Sequence, residues 1–156
     1  MSSPIGFSSS RLSLINRDII WVTCHIRGGL ENGMAHWKAG KMLNKKNTFS
    51  DFISCSKYLI EKKYTSIKKI IIFGGSAGGL LTSNVVNQIP DLLLGAIMAV
   101  PFCDNLTTNM DHSLPLSLGE LREFADAKNN KKHFEYIKSY APYDNLEKKD
   151  YPHILI

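Results

Sequence analysis

Apolar residues in this chain fall in short blocks separated by charged and glycine-rich stretches, a pattern of strands alternating with helices. Asp18 to His25 (DIIWVTCH) is rich in β-branched residues and predicts a buried strand. His25 to Asn47 carries Gly28, Gly29, Gly33 and Gly40 and predicts a surface loop with room for one short helix. Thr48 and Asp51 have the spacing of a capping box, and Phe49, Phe52, Ile53, Ser56, Leu59 and Ile60 recur at helical spacing to about Lys63. Lys69 to Phe73 (KIIIF) predicts a second strand, Gly74 to Gly79 a sharp turn, and Leu80 to Gln88 a helix ended by Pro90. Leu94 to Val100 predicts a third strand. The stretch from Leu114 to Tyr140 is less regular, with a helix around Lys132 to Ser139, and Tyr151 to Ile156 (YPHILI) predicts a fourth strand. Strands alternating with helices in this order imply a parallel sheet with crossover helices, whose active sites lie at the carboxyl ends of the strands.

Composition changes this picture little. The 156 residues suffice for one domain with its own core, and the 44% hydrophobic and 21% charged fractions are those of an ordinary globular chain. The net charge of +5 comes mainly from lysine pairs (Lys45-Lys46, Lys62-Lys63, Lys68-Lys69, Lys131-Lys132, Lys148-Lys149) that read as solvated ends of elements. No clustered basic and aromatic surface suggests a nucleic-acid partner. No apolar run approaches the roughly 20 residues that span a membrane. Arg and Ser in the first seventeen residues, with no acid among the first seventeen, give them a leader-like composition, but they lack amphipathic periodicity. Cys24, Cys55 and Cys103 lie far apart in sequence without metal-like spacing, so no metal site is expected, and reduced thiols in a cytoplasmic protein account for them.

Gly74-Gly75-Ser76-Ala77-Gly78 matches G-x-S-x-G between a predicted strand and a predicted helix. That context identifies the nucleophile elbow of the α/β-hydrolase fold, with Ser76 as nucleophile and the Ala77 N–H as an oxyanion donor. The bland alternative is a glycine-rich turn that binds an anion at a helix N-terminus. A serine hydroxyl needs a base, and in this fold the order is Ser, then acid, then His. His25 and His36 precede Ser76; His112 and His133 fall in irregular or helical stretches. His153 lies inside a predicted strand and reads as a packed core residue. Asp104 follows the third strand, where it serves equally as an acid or as a helix or turn cap before Leu106.

His25 through Gly29, Trp37 through Gly40, Leu43 through Phe49, Asp51-Phe52, Tyr58 through Ile60, Gly74 through Leu81 and Asn87 through Leu92 resemble the prolyl oligopeptidase family of serine peptidases. Ala77 after the serine, Val100-Pro101-Phe102 with Asp104, Leu106, Thr107 and Thr108, and the later Ser113 through Leu116, Gly119-Glu120 and Ser139 through Asn145 are similar to its oligopeptidase B branch. The resemblance implies a peptidase that cuts short peptides after Arg or Lys, without metal or cofactor, in a hydrolase domain paired with a β-propeller. It places the triad acid and base beyond Ile156 and the propeller before Met1. Residues 1–156 are then one partial α/β-hydrolase domain, truncated at both ends and lacking the propeller.

Two departures stand out against that pattern. The family's tyrosine oxyanion donor would fall where this chain has Ser3-Pro4-Ile5-Gly6. Glu120 matches the first of two glutamates that would receive a basic substrate side chain, but the second position is Arg122, which would repel that side chain or pair with Glu120. The expectation is negligible peptidase activity for the isolated chain. Two other readings stay open: one piece of a split peptidase completed by a separately encoded C-terminal segment, and a generic esterase-like hydrolase.

Overall fold

Three strands carry the molecule in the computed structural model, which describes residues 6–156. β1 (Ile70–Gly75), β2 (Leu93–Ala99) and β3 (His153–Leu155) lie in the order β1-β2-β3, both pairs parallel. Ile72 faces Ala96 across the first pair, and Ala96 faces Ile154 across the second. Parallel neighbours need long crossovers. α4 (Ala77–Gln88) makes the first one; α5 (Asn105–Met110), α6 (Ser117–Phe124) and α7 (Lys131–Lys138) lie within the second. α1 (Leu12–Ile15), α2 (Gly33–Lys38) and α3 (Lys46–Glu61) precede the sheet. A sheet of parallel strands with crossover helices is the expected partial α/β-hydrolase architecture.

α4 sits at the centre because both of its sides are apolar. Val85 and Val86 pack with Ile53 of α3 onto Ile72, Leu93, Ala96 and Met98 of the sheet. Leu80 faces the other way, into a cluster with Phe49, Leu106, Phe124, Ile137 and Tyr140. Burying each such side chain contributes roughly 1.5–3 kcal/mol. The opposite sheet face is bare: Ile71 and Phe73 are 57% and 56% exposed.

Several sequence expectations give way. Asp18 to His25 forms no strand; among the described residues it has no ladder partner, and Ile19, Ile20, Trp21 and Val22 are exposed. An apolar β-branched run favours extended backbone, but a strand also needs a neighbour to receive its hydrogen bonds. Thr48 and Asp51 do not form a capping box. α3 starts earlier, at Lys46, and both side chains reach outside the helix: the Thr48 hydroxyl donates to the Arg27 carbonyl, and the Asp51 carboxylate accepts from Arg27. α4 likewise begins at Ala77 rather than Leu80. α5 and α6 fill a region expected to hold little regular structure. His153 is exposed, not packed in the core, because β3 is an edge strand whose residues are all open to solvent. Lys45 departs from the reading of lysine pairs as solvated ends; it is only 7% exposed.

Candidate functional site

The turn from β1 into α4 places Ser76 at the carboxyl end of β1, beside the carboxyl end of β2. Ser76 adopts φ 53°, ψ −117°, a positive-φ conformation that non-glycine residues avoid. Its backbone is held from several sides. The Ser76 N–H donates to the Ala99 carbonyl at 3.0 Å, and its carbonyl accepts from Gly79, Leu80 and Phe102 at 2.8, 3.2 and 3.1 Å. Gly74 and Gly79 allow this closeness: a Cβ at Gly74 would strike the Gly78 carbonyl, and one at Gly79 would strike Pro101. The result is an exposed serine, with no side-chain cap bond to its own helix. The Ala77 N–H, at the first position of α4, has no acceptor among the described residues.

A cleft of about 720 Å³ opens beside the elbow, lined by Gly75, Ala77, Gly78, Arg27, Trp37 and the α6 residues Glu120, Arg122, Glu123 and Phe124. Two ion pairs build its wall. Arg27 binds Asp51 through Nε (2.8 Å) and Nη2 (2.6 Å), and its backbone N–H adds a third bond at 2.9 Å. The guanidinium hydrogen bond holds the Asp51 carboxyl below the usual carboxylate range. Lys45 donates to Glu123 at 3.1 Å and lies 4.9 Å from the Phe124 ring centroid, while the Trp37 indole N–H reaches the other Glu123 oxygen at 3.3 Å. Glu123 is therefore a wall element. Glu120 differs: burial raises its carboxyl above the usual range, and among the described residues no cation lies within ion-pair distance of it. Arg122 is exposed and makes no ion pair with Glu120.

The structure thus brings Ala77 and Glu120 to one cleft, with Ser76 lying in the chain between its lining residues Gly75 and Ala77. It does not bring an imidazole to the serine: among the described residues, no hydrogen bond joins the Ser76 hydroxyl to a histidine or a carboxylate. His133 Nδ1 accepts from the Asp126 N–H, His112 stands 3.8 Å from the Asp126 carboxylate, and His25 lies 4.0 Å from Glu31. Asp104 caps α5, accepting from the Thr107 N–H at 3.2 Å. The Ser3-Pro4-Ile5 stretch, where a tyrosine donor was sought, lies outside the described residues. Arg27, Lys45, Trp37 and Glu123 were not predicted. Their partners lie 24 to 86 positions away, and no local pattern signals such contacts.

Comparison with known proteins adds the following. The family model described as "Prolyl oligopeptidase family" matches residues 5–156. Protease 2 of Moraxella lacunata is 47% identical over 155 residues, covering 99% of this chain and 22% of that protein. Dipeptidyl aminopeptidase BI of Pseudoxanthomonas mexicana is 40% identical, covering 97% of this chain and 21% of its own length. Among solved structures, oligopeptidase B from Leishmania major superimposes with a TM-score of 0.80 at 44% identity, covering 83% of this chain and 18% of that one. Oligopeptidase B from Trypanosoma brucei with covalently bound antipain, in its closed form, gives 0.81 at 44% identity over the same shares. The chain spans about a fifth of the length of these relatives.

Proposed function

Because this chain belongs to the prolyl oligopeptidase family, we propose that its elbow performs acyl transfer on short peptides, with Ser76 as the nucleophile. One observation carries the reading: a strained, exposed serine stands at the carboxyl end of β1 next to an N–H without an acceptor. Ser76 Oγ attacks the scissile carbonyl, the Ala77 N–H receives the oxyanion, and water later hydrolyses the acyl-enzyme. Removing one such oxyanion donor costs on the order of 10²–10³ in turnover.

Glu120 supplies the specificity. A half-buried carboxyl without a cation at a cleft wall is stabilised by an arriving ammonium or guanidinium, so the residue before the cleaved bond is Lys or Arg. Arg122 weakens that preference, since it lies on the same cleft and carries the same charge as the substrate side chain.

A serine hydroxyl is a poor nucleophile without a base. No histidine among the described residues bonds Ser76, so the base and its carboxylate come from elsewhere in the working enzyme. The bare sheet face with Ile71 and Phe73 offers a surface on which further hydrolase-domain structure carrying them would pack. The test is cleavage of a fluorogenic Arg-amide peptide by this chain alone and with the C-terminal hydrolase segment of its Moraxella relative. The expected result is no turnover alone, and turnover in the mixture that Ser76→Ala abolishes. Ser76-dependent turnover by the chain alone would overturn the external base. Turnover in the mixture that survives Ser76→Ala would overturn the nucleophile.

A further inference from the structure

Cys24 and Cys55 play no part in the chemistry above, yet their sulfurs meet. Cys24 Sγ donates to Cys55 Sγ at 2.8 Å across 31 positions of sequence, and both residues are partly buried free thiols. Cys24 lies in the unpaired 19–26 segment, and Cys55 lies on α3. We propose that Cys24 and Cys55 are an oxidative modification site, closing to a reversible disulfide that fastens the 19–26 segment to α3.

The surroundings hold the two sulfurs in place. Three residues after Cys24, Arg27 binds Asp51, which stands one helical turn before Cys55 on the same face of α3. The Thr48 hydroxyl, a further turn back, bonds the Arg27 carbonyl at 2.8 Å. The segment therefore runs against α3 from Cys55 to Thr48, fixed at Thr48 and Asp51. The Arg27 anchor holds the backbone beside Cys24 against α3. Reaching a bond length of about 2.05 Å takes a movement of less than about an ångström. Cys103 is engaged elsewhere, its sulfur 3.1 Å from the Ser83 hydroxyl.

The oxidant is hydrogen peroxide. The thiolate of one cysteine of the pair attacks one peroxide oxygen, the O–O bond breaks, and that sulfur becomes a sulfenic acid while the other oxygen leaves as water after protonation. The other cysteine then loses its proton and attacks the sulfenic sulfur; the S–S bond forms, the S–O bond breaks, and a second water departs. Two thiols are oxidised and one peroxide is reduced. Burial and the hydrogen bond to Cys55 push the Cys24 thiol up to about 12.

The test treats the full chain with hydrogen peroxide, alkylates the remaining thiols and maps tryptic peptides without reduction. The free-thiol count should fall from the three cysteines present to one. A linked peptide pair should contain Cys24 and Cys55, Cys103 should stay alkylatable, and dithiothreitol should restore every thiol. A chain held unfolded in urea serves as the reactive reference. Linkage of either residue to Cys103, an intermolecular dimer as the main product, or survival of every thiol at a peroxide dose that consumes those of the unfolded chain would each overturn the proposal.

Discussion

Replacing Ser76 by alanine and by glycine should separate the strain of the elbow from the chemistry of the hydroxyl. The Ser76 side chain makes no cap bond, so the usual penalty of about 1 kcal/mol for losing a capping serine does not apply and Ser76→Ala should be nearly neutral. Alanine keeps the Cβ and with it the cost of φ 53°, ψ −117°, on the order of 1–3 kcal/mol. Glycine removes that cost but gives the unfolded chain extra freedom, which takes back about 0.4–1 kcal/mol. Ser76→Gly should therefore exceed Ser76→Ala in stability by about 1 kcal/mol. In a domain of this size that is roughly 2–4 °C in Tm. Thermal and urea unfolding of the two variants, followed by circular dichroism, measure the difference. The sign decides: a glycine variant less stable than the alanine variant would show an elbow with no stored strain, its backbone held by hydrogen bonds alone.

Two further outcomes follow from the cleft and its glycines. Gly74→Ala drives a Cβ into the Gly78 carbonyl, a backbone group that cannot swing aside, and should cost about 1–3 kcal/mol by urea unfolding. Asp51→Asn tests the Arg27 pair by pH. The Asp51 carboxyl is depressed in the folded state, so its stabilisation is present above the unfolded value of about 3.9 and fades as pH falls through the lower folded one. The stability gap between wild type and Asp51→Asn should thus be open at neutral pH and narrow below about pH 4; a gap that stays constant from neutral to acid pH would show that the ion pair is not its source.

What the sequence made legible is local. KIIIF became β1, the G-x-S-x-G spacing became the elbow, and Pro90 ended α4, because β propensity, turn sterics and a missing N–H act within a few residues. Ala77 of the elbow and Glu120 of α6 reached one cleft because the elbow and α6 are fixed to the same core, through Leu80 and Phe124. Asp18 to His25 shows the limit: its composition is that of a strand, but pairing is a property of a neighbour. Thr48 and Asp51 matched a capping pattern, yet tertiary partners around Arg27 offered them stronger bonds. Lys45 looked solvated until Glu123, 78 positions away, took its ammonium. The cysteine pair was invisible for the same reason.

The stitching of the Ser76 carbonyl has a consequence for how this serine moves. That oxygen accepts from Phe102, beyond the end of β2, as well as from its own helix, and the Ser76 N–H is bound to Ala99. The serine's position is therefore set by two strands at once, and the elbow cannot rock as a hinge while both bonds hold. Its precision depends on Val100, Pro101 and Phe102. Natural variation in that short turn would retune the reach of the Ser76 hydroxyl by shifting the platform on which it stands.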